Sequence, residues 1–176
     1  SFSCWWVSMK VCDVLNCSFP EWYERFKKVT IKSLLIPLPK EFIDYLCSDG
    51  VVLPTGSSAH PSQGNDYDSD SEVDWGEADH EENVAPSFPE LEEQVSKAIG
   101  ELGGRCFPKL NWSSPKDATW IAINNSASCG SFEDVCLLLK SSDFVSHDLT
   151  QPFVYCSDWQ EDMKPESLFK HVLVLR

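Results

Sequence analysis

Apolar positions recur with helical spacing near the middle of the chain, where Leu91, Val95, Ala98, Ile99 and Leu102 share one face. Ser87-Phe88-Pro89-Glu90 reads as a capping box that opens this stretch, and Gly103-Gly104 closes it, so a helix is predicted between them. Ser18-Phe19-Pro20-Glu21 spells the same box, with Ser18 capping the first-turn amides and Glu21 reaching back. It predicts a short helix to about Phe26 that groups Trp22, Tyr23 and Phe26 on one side. Residues 29–38 are β-branched and apolar and end at Pro37-Leu38-Pro39, a strand followed by a breaker. Residues 40–47 read as a helix with Phe42, Ile43 and Leu46 inward, stopped by Asp49-Gly50. Further on, 105–110 and 118–123 read as strands joined by the polar loop 111–117. Ser131 caps a helix carrying Phe132, Val135, Cys136 and Leu139, and residues 152–155 and 172–175 read as two more strands. Helices mixed with short strands predict an α+β class, and no internal repeat is visible.

Charge changes this picture in one place. The 176 residues hold 14 Lys+Arg against 28 Asp+Glu, a formal net charge of −14. Nine of the acids fall between Asp66 and Glu82 with no base among them, and the remaining 19 acids against 14 bases are ordinary. Residues 54–87 are therefore read as an acidic disordered insertion, with Ser69 and Ser71 as candidate phosphorylation positions. The organisation predicted is a leader over 1–8, an N-terminal α/β region over 9–53, the insertion, and a lobe over 88–176. The aromatic-rich leader reads as non-native, with a natural start at Met9, and the chain stops inside its last strand. Such acidity disfavours binding to nucleic acid or to anionic lipid. No apolar stretch approaches the roughly 20 residues of a membrane span, so neither nucleic acid nor membrane is expected as a partner.

Eight cysteines include no C-x-x-C pair, and the four histidines do not complete a zinc pattern. No metal site is expected within this chain, and a reducing, cytoplasmic setting fits the cysteines best. Candidate chemistry concentrates in Phe107-Pro108-Lys109-Leu110-Asn111-Trp112-Ser113-Ser114-Pro115-Lys116-Asp117-Ala118. A lysine at a strand end followed by a small-polar loop is a workable phosphate cradle. Lys109 offers a point charge, the loop amides and the Ser113 and Ser114 hydroxyls can donate to phosphate oxygens, and Lys116 adds a second charge. It is no Walker A motif, because the glycines are missing. From spacing alone this signal is weak, and a plain β-hairpin with a surface lysine is the simpler reading. There is no G-x-S-x-G elbow, Cys106 reads as core, and His147-Asp148 reads as a helix-end or turn pair.

The run 107–122 is joined by Trp22-Tyr23, Val29-Thr30-Ile31-Lys32-Ser33 with Pro37-Leu38-Pro39, Asp44-Tyr45-Leu46, Lys140-Ser141-Ser142-Asp143-Phe144 and Thr150-Gln151-Pro152-Phe153. Together these stretches resemble the cell division cycle protein 123 family from Met9 to Arg176. The resemblance implies the N-terminal part of an ATP-grasp-like fold that binds ATP with Mg2+. It implies an assembly chaperone that binds the gamma subunit of eukaryotic translation initiation factor 2, supporting translation initiation and cell-cycle progression. Lys109 then stands on the strand before the phosphate-covering loop, and Asn111, Trp112, Ser113, Ser114, Lys116 and Asp117 belong to that loop. Arg176 begins the hinge against which adenine packs. The family continues into a second lobe that carries the metal ligands, which this sequence lacks. Other readings are an ATP-grasp carboxylate–amine ligase and a fragment without independent activity.

Overall fold

The strands β1 (Leu34–Pro37), β2 (Pro108–Lys109) and β3 (Val172–Leu175) form one antiparallel sheet in the order β1-β3-β2. The structure, a computed structural model, describes residues 8–54, 86–122, 125–160 and 162–176. The acidic segment between Asp66 and Glu82 and nearly all of the expected leader lie outside the described residues. The described helices are α1 (Val11–Asn16), α2 (Phe19–Phe26), α3 (Lys40–Cys47), α4 (Pro89–Glu101), α5 (Phe132–Lys140) and α6 (Asp143–Thr150). This mixture of helices with a small antiparallel sheet is the expected α+β class.

Register decides what each face of the sheet meets. Leu34 pairs with Leu175 and Ile36 with Leu173, while on the other side of β3 Pro108 pairs with Leu175 and Lys109 with Val174. Side chains alternate along a strand, so Leu34, Ile36, Leu173 and Leu175 share one face, and Leu35, Val174 and Lys109 the other. The first face joins the main core with Phe42 of α3, Val95 of α4, Val135 and Leu139 of α5 and Val145 of α6. On the second face α2 seats Phe19 and Tyr23 against Val174. A third cluster gathers Val11 of α1 with Phe153, Trp112, Trp159 and Phe169.

Two helices match the pattern closely. α3 has the expected bounds, and α4 buries Leu91, Val95, Ala98 and Ile99 as its periodicity requires. The Ser131 hydroxyl caps α5 by accepting the Asp134 amide at 3.2 Å. The two capping boxes do not form. The Ser18 hydroxyl is buried and accepts from the Asn111 side-chain amide at 3.1 Å instead of capping α2. α4 starts one residue later than its box proposes, with Phe88 at the N-cap, because the Phe88 ring packs on Phe42 and Tyr45 at 5.1 and 5.4 Å.

The strand expectations need more correction. Only Leu34–Pro37 of residues 29–38 is a strand. Upstream the Tyr23 hydroxyl takes the Ser33 amide at 2.8 Å, which diverts the chain from the ladder and leaves Val29 and Ile31 exposed. The predicted strand 118–123 is instead a 3-10 helix over Lys116–Ile121, because Asp117 is committed to the start of α6. Residues 152–155 form turns with no partner strand, and Phe153 points alone into the third cluster. Residues 34–37 pair directly with 172–175, so segments from the N-terminal region and the later lobe share one sheet and one core.

Candidate functional site

β2 is short because it sits at the sheet edge, and its neighbours extend it by single pairings. Phe107 donates its amide to the Arg176 carbonyl at 2.7 Å and accepts the Arg176 amide at 3.4 Å, while Cys106 bridges Cys129. Alternation then puts Phe107, Lys109, Val174 and Arg176 on one face. Alongside runs an open groove of about 1080 Å³, to which Arg105, Lys109, Lys116 and Arg176 contribute four cations. Among the described residues that line it there is no Asp or Glu, and Ile31, Phe107 and Phe144 add exposed apolar surface. In a chain of net charge −14 this is a local reversal of sign.

Lys109 is the best-held of these cations. Its ammonium donates to the Trp112 carbonyl at 3.0 Å and lies 5.0 Å from the Phe19 ring centroid, over its face. Burial first, then the Arg176 guanidinium, hold it below the usual lysine pKa, and the Asp148 carboxylate works against them. A cation disfavoured by its own surroundings gains from an incoming anion. Arg105 donates from Nε to the Ser128 hydroxyl at 3.3 Å, which leaves the guanidinium end at the groove. Lys116 and Arg176 are both exposed and line the same space.

The loop residues divide between lining the groove and fixing it. Trp112, Ser113 and Ser114 line it, but their side-chain donors are engaged inside the protein. The Trp112 indole donates to the Val14 carbonyl at 2.8 Å, and its ring packs on Phe169 at 4.8 Å. Ser113 gives its amide and hydroxyl to Asp148 at 2.6 and 2.8 Å, and Ser114 gives its hydroxyl to the Pro108 carbonyl at 3.1 Å. The serine hydroxyls expected to face a phosphate therefore hold the loop in shape here.

Asn111 and Asp117 do not line the groove. Asn111 is only 2% exposed, and its side chain donates to Ser18 and to the Lys170 carbonyl while accepting the Val172 amide at 2.9 Å. It ties α2, the loop and β3 together. Asp117 accepts the Ser142 hydroxyl at 2.6 Å and the Asp143 and Phe144 amides at 2.8 and 3.3 Å. Partial burial works against its ionisation, but these bonds prevail and hold the carboxyl below the ordinary aspartate range. Asp148, read from sequence as part of a helix-end or turn pair, lies near the end of α6 and is 5% exposed, and burial pushes its carboxyl above the ordinary value against the Ser113 bonds.

Sequence reasoning missed Arg105, Phe107, Phe144 and Ile31 as groove residues. The first two carried a usable signal, since 105, 107 and 109 alternate onto one face. Phe144 and Ile31 reach the groove only through tertiary folding. No group of three or more His, Cys, Asp or Glu that could hold a metal ion occurs among the described residues. No helix among them is long and apolar enough to cross a membrane.

The chain belongs to the D123 family, whose profile matches residues 22–176. It is 48% identical over 172 residues to the translation initiation factor eIF2 assembly protein of Xenopus tropicalis, covering 96% of this chain and 50% of that protein. It is 44% identical over 166 residues to the protein of the same description from Sclerotinia sclerotiorum, covering 93% and 40%. Its fold is similar to that of Cdc123 from Schizosaccharomyces pombe, with a TM-score of 0.71 at 35% identity over 97% of this chain and 55% of that one. The resemblance expected from the sequence therefore holds, and the chain spans about half the length of the relatives it matches.

Proposed function

We propose that this chain serves eukaryotic translation initiation factor 2 as an ATP-binding assembly factor that engages the gamma subunit in the cytoplasm. The assembly role rests on relatives described as eIF2 assembly proteins. The nucleotide reading rests on one observation, a cation-lined groove with no carboxylate among the described residues that line it, in an otherwise acidic chain. Lys109 and Lys116 would meet the polyphosphate as point charges, and Arg105 and Arg176 would add planar, multi-donor contacts. Phe107, Ile31 and Phe144 offer apolar surface suited to a flat base. The ATP-grasp-like architecture belongs to this same proposal. Bound ATP would supply the negative charge that offsets the mutual repulsion of Lys109 and Arg176. No step is assigned to Mg2+.

The test is a pull-down of the gamma subunit with this chain, with and without ATP, beside a direct ATP titration. Capture of the subunit and saturable ATP binding are the expected results. Failure of a folded chain to capture the subunit in either condition rejects the assembly reading. Failure to bind ATP rejects the nucleotide reading.

A further inference from the structure

Asp148 does not line the groove, yet it holds the loop that forms one wall. Its Oδ2 accepts the Ser113 amide at 2.6 Å and its Oδ1 the Ser113 hydroxyl at 2.8 Å. The far end of the loop grips the same helix in the reverse sense, with Asp117 accepting the Ser142 hydroxyl at 2.6 Å and the Asp143 amide at 2.8 Å. Loop and α6 thus exchange carboxylates, and Ser114, Pro115 and Lys116 lie between the two attachments. Inside the loop the Leu110 amide donates to the Ser113 carbonyl at 2.8 Å, closing the turn whose Trp112 carbonyl receives the Lys109 ammonium at 3.0 Å. The peptide group between Trp112 and Ser113 therefore gives its amide to Asp148 and its carbonyl to Lys109.

A buried carboxylate beside a cationic groove opposes any anion that enters. Its charge helps keep Lys109 protonated, but toward the ligand itself Asp148 can contribute only through geometry. We infer that Asp148 is the positioning residue of the groove, fixing the loop through Ser113 so that Lys109 and Lys116 address the same anionic ligand. The inference rests on the nucleotide reading above. Charge and geometry make opposite predictions for its removal: loss of a nearby negative charge tightens ATP binding, whereas release of the loop weakens it.

The experiment titrates ATP into the wild-type chain and into Asp148→Ala, Asp148→Asn and Ser113→Ala, with circular dichroism confirming the fold of each. Asp148→Ala is expected to bind about tenfold more weakly. Asp148→Asn, whose amide oxygen can still accept the Ser113 amide, is expected within about threefold of wild type. Ser113→Ala, which keeps the amide bond and loses the hydroxyl bond, is expected about fivefold weaker. Equal or tighter binding by a folded Asp148→Ala overturns the positioning role, as does an Asn variant no better than Ala. If Asp148→Ala does not fold, unchanged affinity in Ser113→Ala overturns it instead. A wild-type chain that does not bind ATP removes the nucleotide reading and this inference with it. Binding by wild type and a folded Asp148→Ala alike removes the inference alone.

Discussion

The two faces of the small sheet are built from adjacent residues and behave oppositely. Leu173 and Leu175 turn into the main core with no exposed surface, closed over by α3, α4, α5 and α6. Val174, between them, turns the other way and is covered by Phe19 and Tyr23 of α2. Beyond that cover the same row continues into Lys109, Phe107 and Arg176, and the face opens into the groove. One side of a single strand thus serves packing, while the other passes within a few residues from packing to cationic surface. Burial alone does not separate the two, because Lys109 is itself partly buried. The difference lies in whether the surroundings satisfy the residue. The leucines lie within the apolar core cluster, whereas Lys109, held by the Trp112 carbonyl and the Phe19 ring, also meets burial and a repelling guanidinium that Asp148 opposes without cancelling.

The largest expected effect breaks the packed side. Leu173→Ala removes a fully buried side chain, and should cost about 3 kcal/mol in urea denaturation. A loss below about 1 kcal/mol would mean the core collapses around the gap. Asn111→Ala comes next, at about 2–3 kcal/mol, because it strips bonds from Ser18, the Lys170 carbonyl and the Val172 amide at the border of the two faces. Unchanged stability with lost ATP binding would instead make Asn111 a ligand contact. Lys109→Met sharpens the contrast from the open side. It keeps the apolar stem and removes the strained charge, so denaturation should show stability unchanged or raised while ATP affinity falls about tenfold or more.

The smallest effect is a pH dependence beneath the sheet. His171 is 7% exposed, its Nε2 has no hydrogen-bond partner among the described residues, and burial holds its pKa below 6.5 against the pull of Glu166. The unfolded chain therefore takes up the imidazole proton before the folded one does. This contribution to stability is complete above the unfolded value of 6.5 and fades as pH falls through the lower folded value. Denaturation between about pH 7 and 5.5 should show wild type losing stability relative to His171→Phe. Parallel curves would refute it.

Legibility in the sequence followed the range of the interactions. α3 and α4 could be read because their apolar spacing and their Gly stops are local. α6 could not: its start is held by Ser142 and by Asp117, which arrives from the far side of α5. Nor could the turn at 152–155 be told from a strand, since Phe153 is buried like a strand residue while no ladder exists to receive its neighbours. In the site, Lys109 was legible as a cation at a strand end, and so was the loop after it. The inward commitment of Ser113, Asn111 and Asp117 was not, because their partners Asp148, Lys170 and Ser142 are remote in sequence. A polar loop looks the same on paper whether its side chains serve a ligand or the loop itself.

The order β1-β3-β2 also bears on synthesis. The middle strand leaves the ribosome after both of its neighbours, so Leu34 and Pro108 must wait for Leu175 before either has a partner. Until then β1 and β2 both stand as open edges, available to any other chain with a free strand. Nascent chains arrested just before and just after residues 172–175 emerge should differ sharply in protease resistance, with the core closing late and in one step.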